Sequence, residues 1–384
     1  MPTHVLQGIT WKNPRGYDPL VAASRVWMDQ HPGVSVRWQQ LPWYEFEDTI
    51  LRSLADGDGS FDLIMFDHPW TGRMASGNWL IPWERLSGEA YLNDLAQRVV
   101  CPSLESYMLY GSHWALPVDS ACHCGLFRSD MADADSLPQT WEAIRSWAEA
   151  LHNPPHRHAL ILSLEGVLGS CLFLSMMAGL GFPPYTDERS PSCDKEAAAY
   201  VLTLLKDLLV FAPPGSTTLG PWDIYERFSK SDDIIYSPSI FAYVNYFGVG
   251  RGEHLRVCRV PGFSNGAVGR PILGGVGLGV AHTCTSIDQA RELGEFLMSE
   301  TVQHDIFPDH SGQPSTKTAW ASTRINRRFH NFYADLSANM ATAYIRPRYP
   351  DFHYIELEIG KILQQWWDHE TDLTIILDQL NKFR

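Results

Sequence analysis

The chain has 384 residues, 45% of them apolar, which is too long for one growing core and excludes a disordered chain. Its formal charge of -14 argues against nucleic acid or an anionic membrane as the main partner, since both select clustered Lys and Arg. The informative excess is aromatic, with 14 Trp, 15 Tyr and 17 Phe, several of them beside Gly, Pro, Asn and Asp in loop context.

In chain order, residues 4–11 predict a strand that ends in an aromatic turn, residues 11–17, and a helix from about Pro19 with Leu20, Ala23, Val26 and Trp27 on one face. Residues 34–40 alternate as a second strand, residues 41–44 leave it as an aromatic loop, and residues 45–54 form a helix on Phe46, Ile50 and Leu54. Residues 61–66 read as a short buried strand that opens into Asp67, His68, Pro69 and Trp70. This order implies right-handed crossovers and a mostly parallel sheet. Ligands of open α/β sheets bind outside the carboxyl ends of strands, which is where Asp67, His68 and Trp70 stand; the alternative is an ordinary βα loop.

Residues 113–117 and 125–128 predict two short strands, so the chain runs from one sheet into another near Pro117, with Asp119 just beyond it. Residues 140–151 are a helix capped by Thr140, and residues 159–162 a strand. Apolar and amphipathic helices follow over 168–178 and 194–210, and a short helix over 222–228 carries Trp222 and Tyr225. A strand is expected at 232–235, with Ser237 and Pro238 starting a further helix, and then a polar-aromatic stretch with Tyr243, Asn245 and Tyr246. Gly274, Gly275, Gly277 and Gly279 alternate in a strand, which marks close approach of backbone or ligand and not a dinucleotide fingerprint. Residues 286–298, 354–367 and 371–380 read as helices.

No apolar run approaches the roughly 18–20 residues of a transmembrane helix. The start MPTHVLQGITW shows neither the basic nor the apolar region of a signal peptide. Seven scattered cysteines form no disulfide framework. Cys122 and Cys124 flank His123, and His304 and His310 flank Asp305 and Asp309, but neither group has a metal-ligand spacing with a second pair, so no metal and no cofactor is expected.

Seven segments in order resemble the extracellular solute-binding proteins of family 1, the sugar-type receptors of bacterial ABC importers. They are ITW with the stretch HPGVSVRWQQLPWYEFEDTILRSLADGDGSFDLIMFD, then WLIPWERL, YGSHWALPVDSACHCGLFRSDM, LPQTWEAI, GRPILGGVGLGVAHTCTSIDQARELGEFLMSETVQ, GQPSTKTAW and IRPRYPDFHYIELEIGKILQQ. The resemblance implies a two-lobed α/β periplasmic-binding-protein fold of type II, like maltose-binding protein, with a hinge and a central ligand cleft. Lobe one would take residues 1–117 plus 276–315, and lobe two residues 118–275 plus 316–384. It also implies a periplasmic or cell-surface location, a monomer, a small-molecule ligand (sugar, polyol, or sugar acid or phosphate) and a membrane permease as partner, with no nucleic acid.

Sugars are held by aromatic faces and by charged or amide hydrogen bonds to hydroxyls. The strand-end residues that offer these groups are Trp11, Trp43, Tyr44, Asp67, His68, Trp70, Asp119, Trp222, Tyr225, Tyr243, Asn245, Tyr246 and Gly275. Asp67 and Asp119 are read as hydroxyl acceptors, Trp222 and Tyr246 as stacking platforms, and Asn245 as a paired donor and acceptor. Trp43 and Tyr44 would line the cleft edge. The bland readings stay open: Trp43 as anchor of its helix, Asp119 as a turn cap, Trp222 as core. Arg346 would bind a carboxylate or phosphate if it reaches the cleft, and otherwise pairs with an acid. No third group makes Asp67 and His68 catalytic, so no catalytic residue is assigned. Two further function classes are carried: a sensor partner that uses the same closure, and a glycoside-acting enzyme working through Asp67 and Asp119.

Overall fold

The computed structural model describes residues 4–248, 250, 252–369 and 371–383. Strand β1 (His4–Trp11) pairs in parallel with β2 (Val34–Leu41) and β3 (Leu63–Asp67), joined by helices α1 (Pro14–Gln30) and α2 (Trp43–Asp56). This is the predicted βαβαβ unit. Helix α1 starts five residues before Pro19, because the Asn13 side chain accepts from the Arg15 amide and Pro14 occupies the first helical turn. Helix α2 likewise takes in Trp43 and Tyr44, which were expected in a loop, and ends at Gly57 in the left-handed region at φ 61°.

The rest of the sheet is laid down out of chain order. The Gly-rich strand Leu273–Ala281 returns antiparallel beside β3, and the long strand Leu116–Arg128 lies antiparallel on its other side. Beyond that come Ile234–Phe241 and then His158–Leu160. The two short strands expected between 113 and 128 are in fact Ser112–His113, which closes a small hairpin, and the single strand Leu116–Arg128.

The helix expected to begin at Ser237 is instead part of the strand Ile234–Phe241. Pro238 is tolerated there because the ladder to Leu116–Arg128 shifts register between Cys124 and Leu126, so the missing amide falls at a bulge.

Apolar side chains gather into separate cores. One takes Leu6, Trp27, Phe46, Phe66 and Trp70 together with Val118, Val276 and residues up to Phe307. A second is built from the helices Trp141–Leu151, Val167–Gly179, Lys195–Leu208 and Phe352–Asp368. A third joins Cys122, Cys124 and Leu273 to Tyr225, Phe247 and Phe332. The strands Leu116–Arg128 and Leu273–Ala281 each start in one core and finish in another, so the chain has two lobes joined by a shared antiparallel ribbon. Among the described residues, no helix is long and apolar enough to cross a membrane.

Candidate ligand-binding site

The site is built on one register. Val276 of the return strand faces Asp67 on one side and Asp119 on the other. Strands lie about 4.8 Å apart, so the two backbone positions are separated by about 10 Å, with both side chains on one face of the sheet. Both carboxylates are held by arginines. Arg346 Nη2 donates to Asp67 at 2.8 Å, and its Nη1 donates to Glu356 at 2.8 Å. Arg15 grips Asp119 in a two-point fork, 2.8 Å from Nε and 2.5 Å from Nη2, while its Nη1 donates to the Ala242 carbonyl at 3.2 Å. Such forks fix direction as well as charge.

Burial would raise the Asp67 carboxyl, but Arg346 and His68 together hold it well below the usual carboxylate range. At Asp119 burial wins over Arg15, and the carboxyl is raised. Burial and Arg346 push His68 down to about 4, so its ring is neutral at pH 7.

Two aromatic groups flank these pairs. On the first, Trp43 meets Trp11 edge-on at 6.4 Å and Trp70 at 5.8 Å, and Trp70 meets His353 at 5.6 Å. On the second, Tyr243 contacts Trp222 at 6.3 Å and Tyr225 at 6.2 Å, and Tyr225 stacks on Tyr246 at 4.7 Å. The Arg15 guanidinium lies 4.9 Å over the Tyr243 ring and so connects α1 to the second group.

The sequence-predicted residues therefore fall into three places. Asp67, Asp119, Gly275 and Arg346 sit at the ribbon; Trp11, Trp43 and Trp70 form one aromatic group; and Trp222, Tyr225, Tyr243 and Tyr246 form the other. Trp43 and Trp222 are each exposed over more than a third of their surface, and Tyr44 is largely exposed, whereas Trp70, His68 and Tyr225 are buried. Gly275 takes φ +104°, and a Cβ there would lie 2.3 Å from the Asp119 carbonyl oxygen. Among the described residues, the buried polar atoms without a hydrogen-bond partner include Arg346 Nε, Asn245 Oδ1 and both ring nitrogens of His68, although His68 Nδ1 is 3.2 Å from Asp67.

Sequence reasoning missed Arg15, Gln313, Glu47, His353 and Glu356. Gln313 is fully buried at the ribbon, donating to the Ser120 carbonyl and accepting from the Val244 amide. Arg15 carried a usable signal, Asn13 followed by Pro14, which marks a helix start and puts residue 15 in a first turn. Among the described residues, no three His, Cys, Asp or Glu side chains converge as a metal site.

Two lobes share one antiparallel ribbon, with arginine–carboxylate pairs and aromatic rings at the crossing. Residues 10–155 match the family described as bacterial extracellular solute-binding protein, so the resemblance carried by the motifs is shown over that part of the chain. A mannitol-binding protein of Pseudomonas aeruginosa is 23% identical over 209 residues, which cover 51% of this chain and 46% of that protein, so the match spans about half of each. The whole chain is similar in fold to solved structures at low identity. The maltose-bound MalE3 of T. maritima has a TM-score of 0.82 at 18% identity, covering 99% of this chain and 98% of that one. An ABC transporter solute-binding protein from Agrobacterium radiobacter in complex with ribitol has a TM-score of 0.84 at 16% identity, covering 99% and 97%. One from Agrobacterium vitis with bound D-mannitol has a TM-score of 0.78 at 15% identity, covering 99% and 97%.

Proposed function

We propose that this protein is the solute receptor of an ABC importer and captures a neutral polyhydroxy compound, a sugar or polyol, between its lobes. The observation that carries this reading is the pairing at the ribbon. Each carboxylate keeps lone pairs for hydroxyl donors, and both arginines are already bonded to carboxylates. A neutral ligand with many hydroxyls matches such a balanced surface, whereas an anion would compete with Asp67, Glu356 or Asp119 for the same guanidinium. The relatives named for mannitol and ribitol support a polyol, and the maltose-bound one supports a sugar.

Closure around the ligand is the mechanism: binding between the lobes stabilises the shut form, and that form is delivered to the membrane permease. Residues 1–117 plus 276–315 form one lobe in this reading, and 118–275 plus 316–384 the other. The site is at once Asp67, Asp119, Arg346 and Arg15 for hydroxyls, with Trp43 and Trp222 as accessible faces. The protein acts outside the cytoplasmic membrane, as a monomer and without nucleic acid. The reading makes it a binding protein and not an enzyme, supported by the solute-binding family matched over residues 10–155 and by the solute-binding proteins whose fold it shares.

A thermal-shift series tests the reading. D-mannitol, ribitol and maltose are compared with mannonate and mannitol 1-phosphate at millimolar concentration. A rise in melting temperature with at least one neutral compound, and none with its anionic counterpart, is the expected result. A rise with the anions alone, or with none of the five, overturns it.

A further inference from the structure

We propose that Glu47 and His353 form an interlobe latch that holds the cleft shut and sets how tightly it retains its ligand. The two residues are 306 positions apart and belong to different cores. Glu47 is on α2, whose neighbouring Phe46 and Ile50 pack in the first core. His353 opens the helix Phe352–Asp368, whose Phe352 and Ile355 pack in the second. Across the gap His353 Nε2 reaches Glu47 Oε2 at 2.8 Å, and on its own side His353 Nδ1 reaches Glu356 Oε2 at 3.3 Å.

The latch is wired to the ribbon. Glu356 is fully buried and its other oxygen accepts from Arg346, which in turn donates to Asp67. The chain Glu47–His353–Glu356–Arg346–Asp67 thus alternates in sign from the surface of one lobe to the strand end where the ligand is expected, crossing between cores at both ends. Trp70 covers the His353 ring edge-on at 5.6 Å, which keeps water from one side of the pair. Opening the lobes would take Glu47 away and leave His353 with Glu356 alone.

The groups that face His353 are Glu47 from α2, Glu356 from its own helix and the Trp70 ring from the turn after β3; Arg346, Cys171, Asp67 and His68 stand one contact further on, around Glu356 and Arg346. Burial would lower the His353 ring, but its bonds to Glu356 and Glu47 raise it to about 9. The sign follows. A group raised above its ordinary 6.5 contributes fully below that value and loses its contribution as pH rises through about 9. The latch is therefore closed at neutral pH and released in alkali.

This inference rests on the receptor reading only in assigning the latch a role in capture, and its test separates the two. Small-angle X-ray scattering on the ligand-free protein reports lobe separation directly, without any ligand. Wild type is compared with Glu47→Gln, His353→Gln and His353→Lys at pH 7 and pH 10. Wild type is expected to be compact at pH 7 and to gain radius of gyration at pH 10. Glu47→Gln and His353→Gln are expected to be expanded at both, and His353→Lys to stay compact at pH 10. Glu47→Gln leaves the buried Glu356–Arg346 pair intact, so it keeps the test valid if His353→Gln disturbs folding. D-mannitol titration is then expected to show about tenfold weaker binding in either Gln variant and no further loss in the double variant. Identical scattering of all four proteins at both pH values overturns the latch. If the scattering responds as expected while wild type fails to bind D-mannitol, the latch stands and the polyol reading falls.

Discussion

Asp67 and Asp119 stand opposite the same residue, Val276, from the two sides of one strand. Each carboxylate belongs to a different neighbouring strand, and each is met by an arginine from a different direction: Arg15 from the first turn of α1, and Arg346 from the loop before the helix Phe352–Asp368. Two distant pieces of chain are thereby pinned to the ribbon at one level.

Removing one partner of the Arg15–Asp119 pair leaves a buried charge uncompensated. Arg15→Met is expected to cost about 3–5 kcal/mol in urea unfolding, and the double variant Arg15→Met/Asp119→Leu clearly less than Arg15→Met alone. A double variant at least as unstable as the single one would show that the fork adds net stability beyond satisfying its own charges.

The two tryptophans of the first aromatic group are expected to separate stability from binding. Trp70 is buried, and Trp70→Ala is expected to lower stability by about 3–5 kcal/mol. Trp43 keeps an exposed face, and Trp43→Ala is expected to weaken D-mannitol binding about tenfold, the scale of one aromatic contact. Calorimetric titration together with urea melts of both variants checks this.

Acid is expected to loosen the same network. The Asp67 and Glu356 carboxyls resist burial only because of Arg346 and the histidines beside them, and both lie below their ordinary values. Groups lowered in this way contribute above their ordinary values and lose the contribution as pH falls below them. Melting temperature should therefore decline below pH 4, and the slope of that decline should be shallower in Asp67→Asn, measured by differential scanning from pH 7 to pH 3.

Glycine substitutions are expected to rank by what surrounds them. At Gly275 a Cβ meets the Asp119 carbonyl, and the backbone is left-handed, so Gly275→Ala is expected to cost more than the roughly 1–3 kcal/mol of backbone strain alone. At Gly57 the space around the new Cβ is open, so Gly57→Ala is expected to cost only about 1–2 kcal/mol. Urea melts of the two proteins give the order.

The parts of the fold legible in the sequence were those with a local period. Strands β1 to β3 and helices α1 and α2 follow from alternation and from the three-and-four spacing, and Thr140 caps its helix as read. What local pattern could not supply was pairing across the chain. Ser237 followed by Pro238 is a fair helix-start signal, and only the bulge opposite it explains why a strand wins. Asp67 and Trp70 stood out because they follow a buried strand. Arg346 stood out too, as a group for a ligand or for an acid, but its pairing with Asp67, 279 positions away, did not, and His353, next to Phe352 in a helix, gave no signal of its own. Charge complementarity at that separation leaves no spacing to read.

The ribbon that joins the lobes narrows to two strands where Gly274 and Gly275 lie against Ala121 and Ser120, just beyond the pairing of Val276 with Asp67. A ladder of hydrogen bonds resists shear within its own plane, while a narrow pleated band yields readily to bending across its face and to torsion along its length. In the closure proposed above, such a band favours a swing with some screw about one line over sliding of the lobes. Gln313 stands beside that line, donating to the Ser120 carbonyl and accepting from the Val244 amide, and so ties the strand Leu116–Arg128 to the turn after Ile234–Phe241.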